Sequence, residues 1–252
     1  MNTRSMSSVF KIKLRLHYSW IAVFIFTTAA VITQFSTNSP ILRRLTLGLV
    51  ASILFFLIAV VRMLIIAMFA IRKGAVVKSY TLFATGSLLD IDKTTTYPAL
   101  EALLAAVGLL TNIVGAGILY IIYQVLANNG SIMVYVLLQW LAFICFMLTL
   151  FNFLPGLPLD GGKILRAILW KATNDYDRIT RILSWSGWFI GLGLIILGIV
   201  LTINTRQWFV GALLVLPGLL LQNSATHQRH QVRKQSRKQK QIEEPNDSTS
   251  IG

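Results

Sequence analysis

The sequence predicts an all-α polytopic membrane protein, with six transmembrane helices and a short β-like segment between the second and third. Three observations predict it. Of 252 residues, 55% are hydrophobic and only 13% are charged, and the mean hydropathy is +0.69. A soluble globular domain is about 45–50% apolar and about 25% charged. The apolar residues gather into six runs, most of them near the roughly 20 residues that a bilayer-spanning helix needs. The charges lie between those runs, and 19 of the 23 Lys and Arg fall on one side when the runs are threaded alternately. This composition excludes an ordinary soluble enzyme, a disordered protein and a disulfide scaffold. The single Cys145 has no partner within the chain.

Residues 1–16 form a basic N-terminal segment with Arg4, Lys11, Lys13 and Arg15. The first span follows, from His17 to Phe35. Basic residues before an apolar run also suit a signal peptide, but no small-x-small cleavage site follows, so a retained span is expected. The second span runs from Leu45 to Ile71 and is interrupted by one charge, Arg62. Between Gly74 and Pro98 the pattern alternates, with Val77, Ser79 and Thr81 opposing Lys78, Tyr80 and Leu82. That period of two predicts one or two short strands at the cytoplasmic interface, with an irregular loop as the alternative.

The third span covers Ala99 to Leu126, the fourth Ile132 to Leu154 and the fifth Ser184 to Ile203. The sixth, Trp208 to Leu221, is short and contains Pro217. The spanning domain is thus 17–221, and 222–252 is a basic, polar tail. The tail reads either as a solvated segment or as a binder of anionic lipid. The Lys/Arg bias places both termini in the cytoplasm and needs an even number of spans. The +14 net charge is accounted for by this bias, so no nucleic-acid partner is expected. The lipid bilayer is the obligatory partner.

The run Asn152-Phe153-Leu154-Pro155-Gly156-Leu157-Pro158-Leu159-Asp160-Gly161-Gly162 carries the chemistry. A helix does not run easily through Pro155 and Pro158. The backbone groups that this break frees must be satisfied within protein or by water. Asp160 sits directly beyond the break, and Gly161 and Gly162 permit close backbone approach.

This run, Asn-x-x-Pro-x-x-Pro-x-Asp-Gly-Gly, resembles the signature of the site-2 protease family of intramembrane zinc metalloproteases. Gly108-Leu109-Leu110-Thr111-Asn112 is similar to that family's Gly-Pro-Leu-x-Asn, with Leu109 in place of Pro. The basic start from Ile12 to Trp20 resembles the beginning of its first helix. The resemblance spans about residues 10–220. It implies that Asp160 is the position of the third zinc ligand. It also implies that Asn112 and Asn152 occupy polar positions of the site, and that Pro155, Pro158, Gly161 and Gly162 are motif positions.

The same resemblance exposes a departure. Family members carry His-Glu-x-x-His on the second helix, followed by a basic pair and a Gly. His at i and i+4 places both imidazoles on one face for zinc, and the Glu acts as general base. Counting back from Arg72-Lys73-Gly74, those positions hold Arg62, Met63 and Ile66. The chain has three His, at 17, 227 and 230, and none is on the second helix. A catalytic zinc site needs three protein ligands and an open position, and Asp160 is the only retained one.

Arg62 lies ten residues before Arg72, about 15 Å at helical rise, near the bilayer midplane. A charge there costs about 2.5–3.5 kcal/mol even on insertion scales. Pairing with Asp160 is the expectation, and snorkelling to an interface or a water-filled cavity is the alternative.

Three readings of function follow. The first is a proteolytically inactive pseudoprotease, holding no cofactor, that binds or regulates a single-pass membrane protein or its transmembrane helix. The second is an active intramembrane zinc metalloprotease with an atypical site. The third is a channel or transporter using Arg62 and Asp160. The expected location is a prokaryotic plasma membrane.

Overall fold

The structure is a computed structural model, and it describes residues 13–16, 19–34, 40–83, 86–91, 95–126, 132–206 and 208–243. Along the chain come β1 (Lys13–Leu16), α1 (Ser19–Gln34), α2 (Ile41–Arg72), β2 (Val77–Phe83) and β3 (Gly86–Ile91). Then follow α3 (Pro98–Leu126), α4 (Ile132–Asn152), α5 (Asp160–Thr173), α6 (Tyr176–Thr205) and α7 (Trp208–Glu243). His17 lies outside the described residues.

Among the described residues four helices are long and apolar enough to cross a membrane: Ile41–Arg72, Pro98–Leu126, Val134–Asn152 and Tyr176–Thr205. They correspond to the second to fifth expected spans. Helices α1 and α7 stand where the first and sixth spans are expected. The apolar part of α1 is a shorter stretch, Val23–Thr33. The chain divides into two compact units, Met1–Leu154 and Pro155–Gly252.

In the first unit, α1 and α2 approach closely because position 48 is glycine. A Cβ there would lie 2.9 Å from both Thr28 Cγ2 and the Thr28 carbonyl oxygen. The hydroxyls of Thr28 and Ser52 are hydrogen-bonded at 2.8 Å, and Ser52 also donates to the Gly48 carbonyl at 3.0 Å. Small residues and hydroxyl hydrogen bonds are how helices associate where lipid offers no hydrophobic drive.

Helix α2 buries the stripe Met63, Ile66, Ala67 and Ala70, an i, i+3, i+4, i+7 pattern on one face. The stripe packs with Trp20 of α1 and with Leu100, Leu104 and Val107 of α3. The helix ends in a left-handed glycine, Gly74, with φ of +82°. The Ala75 N–H donates to the Ala70 carbonyl at 3.0 Å, and the Gly74 N–H to that of Ile71 at 2.9 Å. This pair of bonds is a Schellman motif, which satisfies carbonyls that a helix end leaves open.

The alternating segment after Gly74 forms two strands, β2 and β3, paired antiparallel from Val77↔Ile91 to Phe83↔Gly86, with an irregularity between Val77 and Ser79. Sequence reading anticipated this pair. It did not anticipate β1, which runs parallel to β2 in the register Lys13↔Ser79 to Leu16↔Leu82 and completes a three-stranded sheet in the order β1-β2-β3.

In the second unit, glycines set the register of α6 against α7. A Cβ at Gly191 would lie 2.7 Å from the Gly218 carbonyl oxygen, and one at Gly198 would lie 2.8 Å from that of Gly211. The numbering rises on one helix as it falls on the other, so the two are antiparallel. Helix α7 includes Pro217 and runs unbroken past Leu221 into the basic segment, as far as Glu243. Leu221, Ala225 and Val232 are buried along it, so the start of the basic segment is packed helix.

Candidate functional site

The residues singled out from sequence fall in both units. Arg62, Met63, Ile66, Asn112 and Asn152 belong to the first, and Pro155, Pro158, Asp160, Gly161 and Gly162 to the second.

On α2, Arg62 is half-buried, and its Nε donates to the Gly108 carbonyl of α3 at 3.3 Å. A helix carbonyl has a second lone pair after its own helical bond. The guanidinium uses it to tie α2 to α3. Met63 and Ile66 lie in the apolar stripe already described and are both core residues. Asn112 stands one turn beyond Gly108. It is 6% exposed, and its Nδ2 has no hydrogen-bond partner among the described residues. Asn152 ends α4 and donates its Nδ2 to the Leu148 carbonyl of its own helix at 2.9 Å. Thr149 does the same toward Cys145 at 2.8 Å.

After α4 the chain turns through the Pro155–Leu159 loop, in which the Leu157–Pro158 bond is cis. The backbone groups that the break frees find partners within the unit. The Leu157 N–H donates to the Leu183 carbonyl at 3.1 Å, and the Leu159 N–H to that of Gly156 at 2.9 Å. The Pro155 carbonyl accepts from the Ser186 hydroxyl at 2.6 Å.

Three glycines make room for this loop. A Cβ at Gly162 would lie 2.4 Å from the Gly156 carbonyl, one at Gly156 would lie 2.7 Å from Gly187 Cα, and one at Gly187 would lie 2.1 Å from the Leu157 carbonyl oxygen. Gly162 of the motif is therefore a packing requirement. Gly187, its counterpart on α6, was not singled out by sequence reading, because nothing local distinguishes it from other helix glycines.

Asp160 opens α5 and is 3% exposed. A carboxylate is favoured there by the partial positive charge of a helix N-terminus. Its Oδ1 accepts from Lys163 Nζ at 3.0 Å, one turn along the same helix. The expected partner, Arg62, belongs to the other unit; Lys163 was not singled out from sequence, although an i, i+3 acid–base pair is a visible helical spacing.

A family model for peptidase family M50 matches residues 6–194. The chain belongs to the M50, or site-2 protease, family. It is 28% identical over 243 residues to "Putative zinc metalloprotease sll0528" of Synechocystis, covering 93% of this chain and 62% of that protein. It is 32% identical over 134 residues to "Putative zinc metalloprotease Rip3" of Mycobacterium tuberculosis, covering 53% of this chain and 34% of that protein. The chain thus spans less than two thirds of the length of either relative. Its fold matches the solved site-2 protease from Methanocaldococcus jannaschii with a TM-score of 0.62 at 25% identity, over 86% of this chain and 90% of that one.

Family membership raises the question of zinc, and the residues present do not fit it. Arginine offers hydrogen-bond donors only. Met63 and Ile66 are packed apolar side chains with no nitrogen or oxygen to offer. Among the described residues no three His, Cys, Asp or Glu side chains gather in a way that could hold a metal ion.

Proposed function

We propose that this M50 chain is proteolytically inactive and serves to bind or regulate a membrane partner. The observation that supports this reading most is the state of the second helix. Where the family motif requires a ligand, a base and a second ligand, α2 has a guanidinium bonded to a main-chain carbonyl and two buried core side chains. A hydrolytic step needs an activated water, and neither Met63 nor Ile66 can polarise one.

A binding role uses the scaffold without the metal. The first unit presents a groove of about 940 Å³ between α3 and α4, lined by Trp140, Phe143, Phe146 and Ile113, with Tyr120 and Gln139 as polar points. Such a surface suits the apolar side of a single transmembrane helix, with hydroxyl and amide groups available to its polar residues. The partner would then be a single-pass membrane protein. The expected setting is a prokaryotic plasma membrane, with both termini in the cytoplasm.

The relatives' printed names favour the alternative, a zinc metalloprotease. Elemental analysis of detergent-purified protein after mild washing separates the two. The expected result is zinc far below one per chain, unchanged in Asp160→Ala. Stoichiometric zinc that disappears in Asp160→Ala would overturn the reading, and assays for intramembrane cleavage would follow.

A further inference from the structure

The basic segment of α7 and the start of α6 carry positive side chains that the proposed partner-binding role does not use. Helix α6 presents Arg178, Arg181 and Trp185 at i, i+3 and i+7. That spacing puts them on one face, and all three are exposed. From α7, the Arg229 guanidinium lies over the Trp185 ring, 4.1 Å from its centroid. Arg229 Nη2 donates to Thr226 Oγ1 at 3.1 Å. Its Nε is buried and has no hydrogen-bond partner among the described residues.

Trp185 is part of an aromatic group with Trp188 and Phe189, with ring centroids 5.3–5.9 Å apart. Exposed tryptophan at the end of an apolar span marks the headgroup level of a bilayer. Arg178 and Arg181 lie about 10 and about 6 Å further out along the helix. The antiparallel register set by Gly191 and Gly218 brings position 229 of α7 to the same end. Of the acidic residues nearby, Asp175 uses its Oδ1 to cap α6 by accepting from the Arg178 N–H at 2.9 Å, and Asp177 is itself engaged.

We propose that Arg178, Arg181 and Arg229, grouped around Trp185, form a binding site for the phosphate of an anionic phospholipid headgroup. The chemistry matches on three counts. Guanidinium groups bind phosphate oxygens with paired, charge-assisted hydrogen bonds. Stacking on the indole restricts the Arg229 side chain before the lipid arrives. The level of the site, just beyond the tryptophans, is where headgroup phosphates lie. A free phosphate or a nucleic acid would meet the same charges, but neither is held at that depth beside exposed tryptophan.

The test is native mass spectrometry of the full-length protein titrated with phosphatidylglycerol and, separately, with phosphatidylcholine. Phosphatidylglycerol is expected to bind tighter by roughly tenfold or more. That preference is expected to vanish in Arg178→Ala/Arg181→Ala, whose exposed side chains can be removed without disturbing the fold. Arg206→Ala, at the opposite end of α6, serves as the charge control and should keep it. Equal binding of the two lipids, or a preference that survives the double substitution, would overturn the proposal. Displacement of phosphatidylglycerol by a short DNA duplex or by polyphosphate at equal phosphate concentration would overturn the lipid as occupant.

Discussion

At the residue scale, the middle of the second helix is committed to packing, with Met63 and Ile66 both in the core. A zinc ligand must point a lone pair into a shared cavity, whereas Ile66 points methyl groups into a core that Trp20, Leu100 and Leu104 complete. Ile66→Ala is therefore expected to destabilise the protein by about 2–4 kcal/mol, measured by thermal or denaturant unfolding in detergent. Leu64→Ala, two positions away and 41% exposed, should cost much less. Comparable losses at both positions would contradict a core role for Ile66. Asp160 presents a different case, since a buried carboxylate keeps its charge only with compensation. Lys163→Ala is expected to cost about 1 kcal/mol, less than the usual charged hydrogen bond, because Lys163 keeps access to solvent. No change in melting temperature would mean that the helix N-terminus and the other contacts of Asp160 suffice.

At the element scale, glycine placement decides which segments can touch. Gly187 and Gly193 lie on the same helix and look equivalent in sequence. A Cβ at Gly187 would collide with the Leu157 carbonyl, whereas one at Gly193 meets nothing within 4 Å. Gly187→Ala is expected to destabilise by about 3 kcal/mol or more, through overpacking against main chain that cannot yield. Gly193→Ala is expected to be neutral or slightly stabilising, since alanine favours helix over glycine by up to about 1 kcal/mol. Melting curves of the two variants side by side check both outcomes. Patterns confined to one element were readable without coordinates. The alternation from Val77 to Leu82 was visible as strand, and the Pro155–Pro158 break was visible as the end of α4. The pairing of β1 was not, because four residues carry too little pattern to announce a partner that is more than sixty positions away. The short α5, Asp160–Thr173, was likewise not anticipated, since it is too short and too polar to stand out as a span.

At the scale of the whole molecule, the distribution of Lys and Arg is the determinant of orientation. The expected arrangement has both termini on the cytoplasmic side and the Arg206 turn on the other. Single cysteines placed near residue 4, at 206 and near residue 250, in a Cys145→Ala background, would report it. The first and third should react with an impermeant maleimide only after the membrane is opened, and the second should react before. Reaction of the two ends from opposite sides would imply an odd number of crossings and remove α1 or α7 from the spanning set. Wild-type protein labelled as a reference should be slow to react, because Cys145 is buried.

The sequence by itself determined the membrane class and the family, and it shows that the second helix carries neither histidine nor glutamate. Each of these is written in composition or in a contiguous motif, and hydropathy and ligand chemistry need no coordinates to be read. Only the tertiary structure decided what these side chains touch: Arg62 bonded to the Gly108 carbonyl, Met63 and Ile66 within a core, and Asp160 bonded to Lys163 at a helix start. It also decided that α7 continues as packed helix into the basic segment, and that Arg229 reaches Trp185. These are relations between residues far apart in the chain. Close packing and register fix them, and neither leaves a local trace in the order of amino acids.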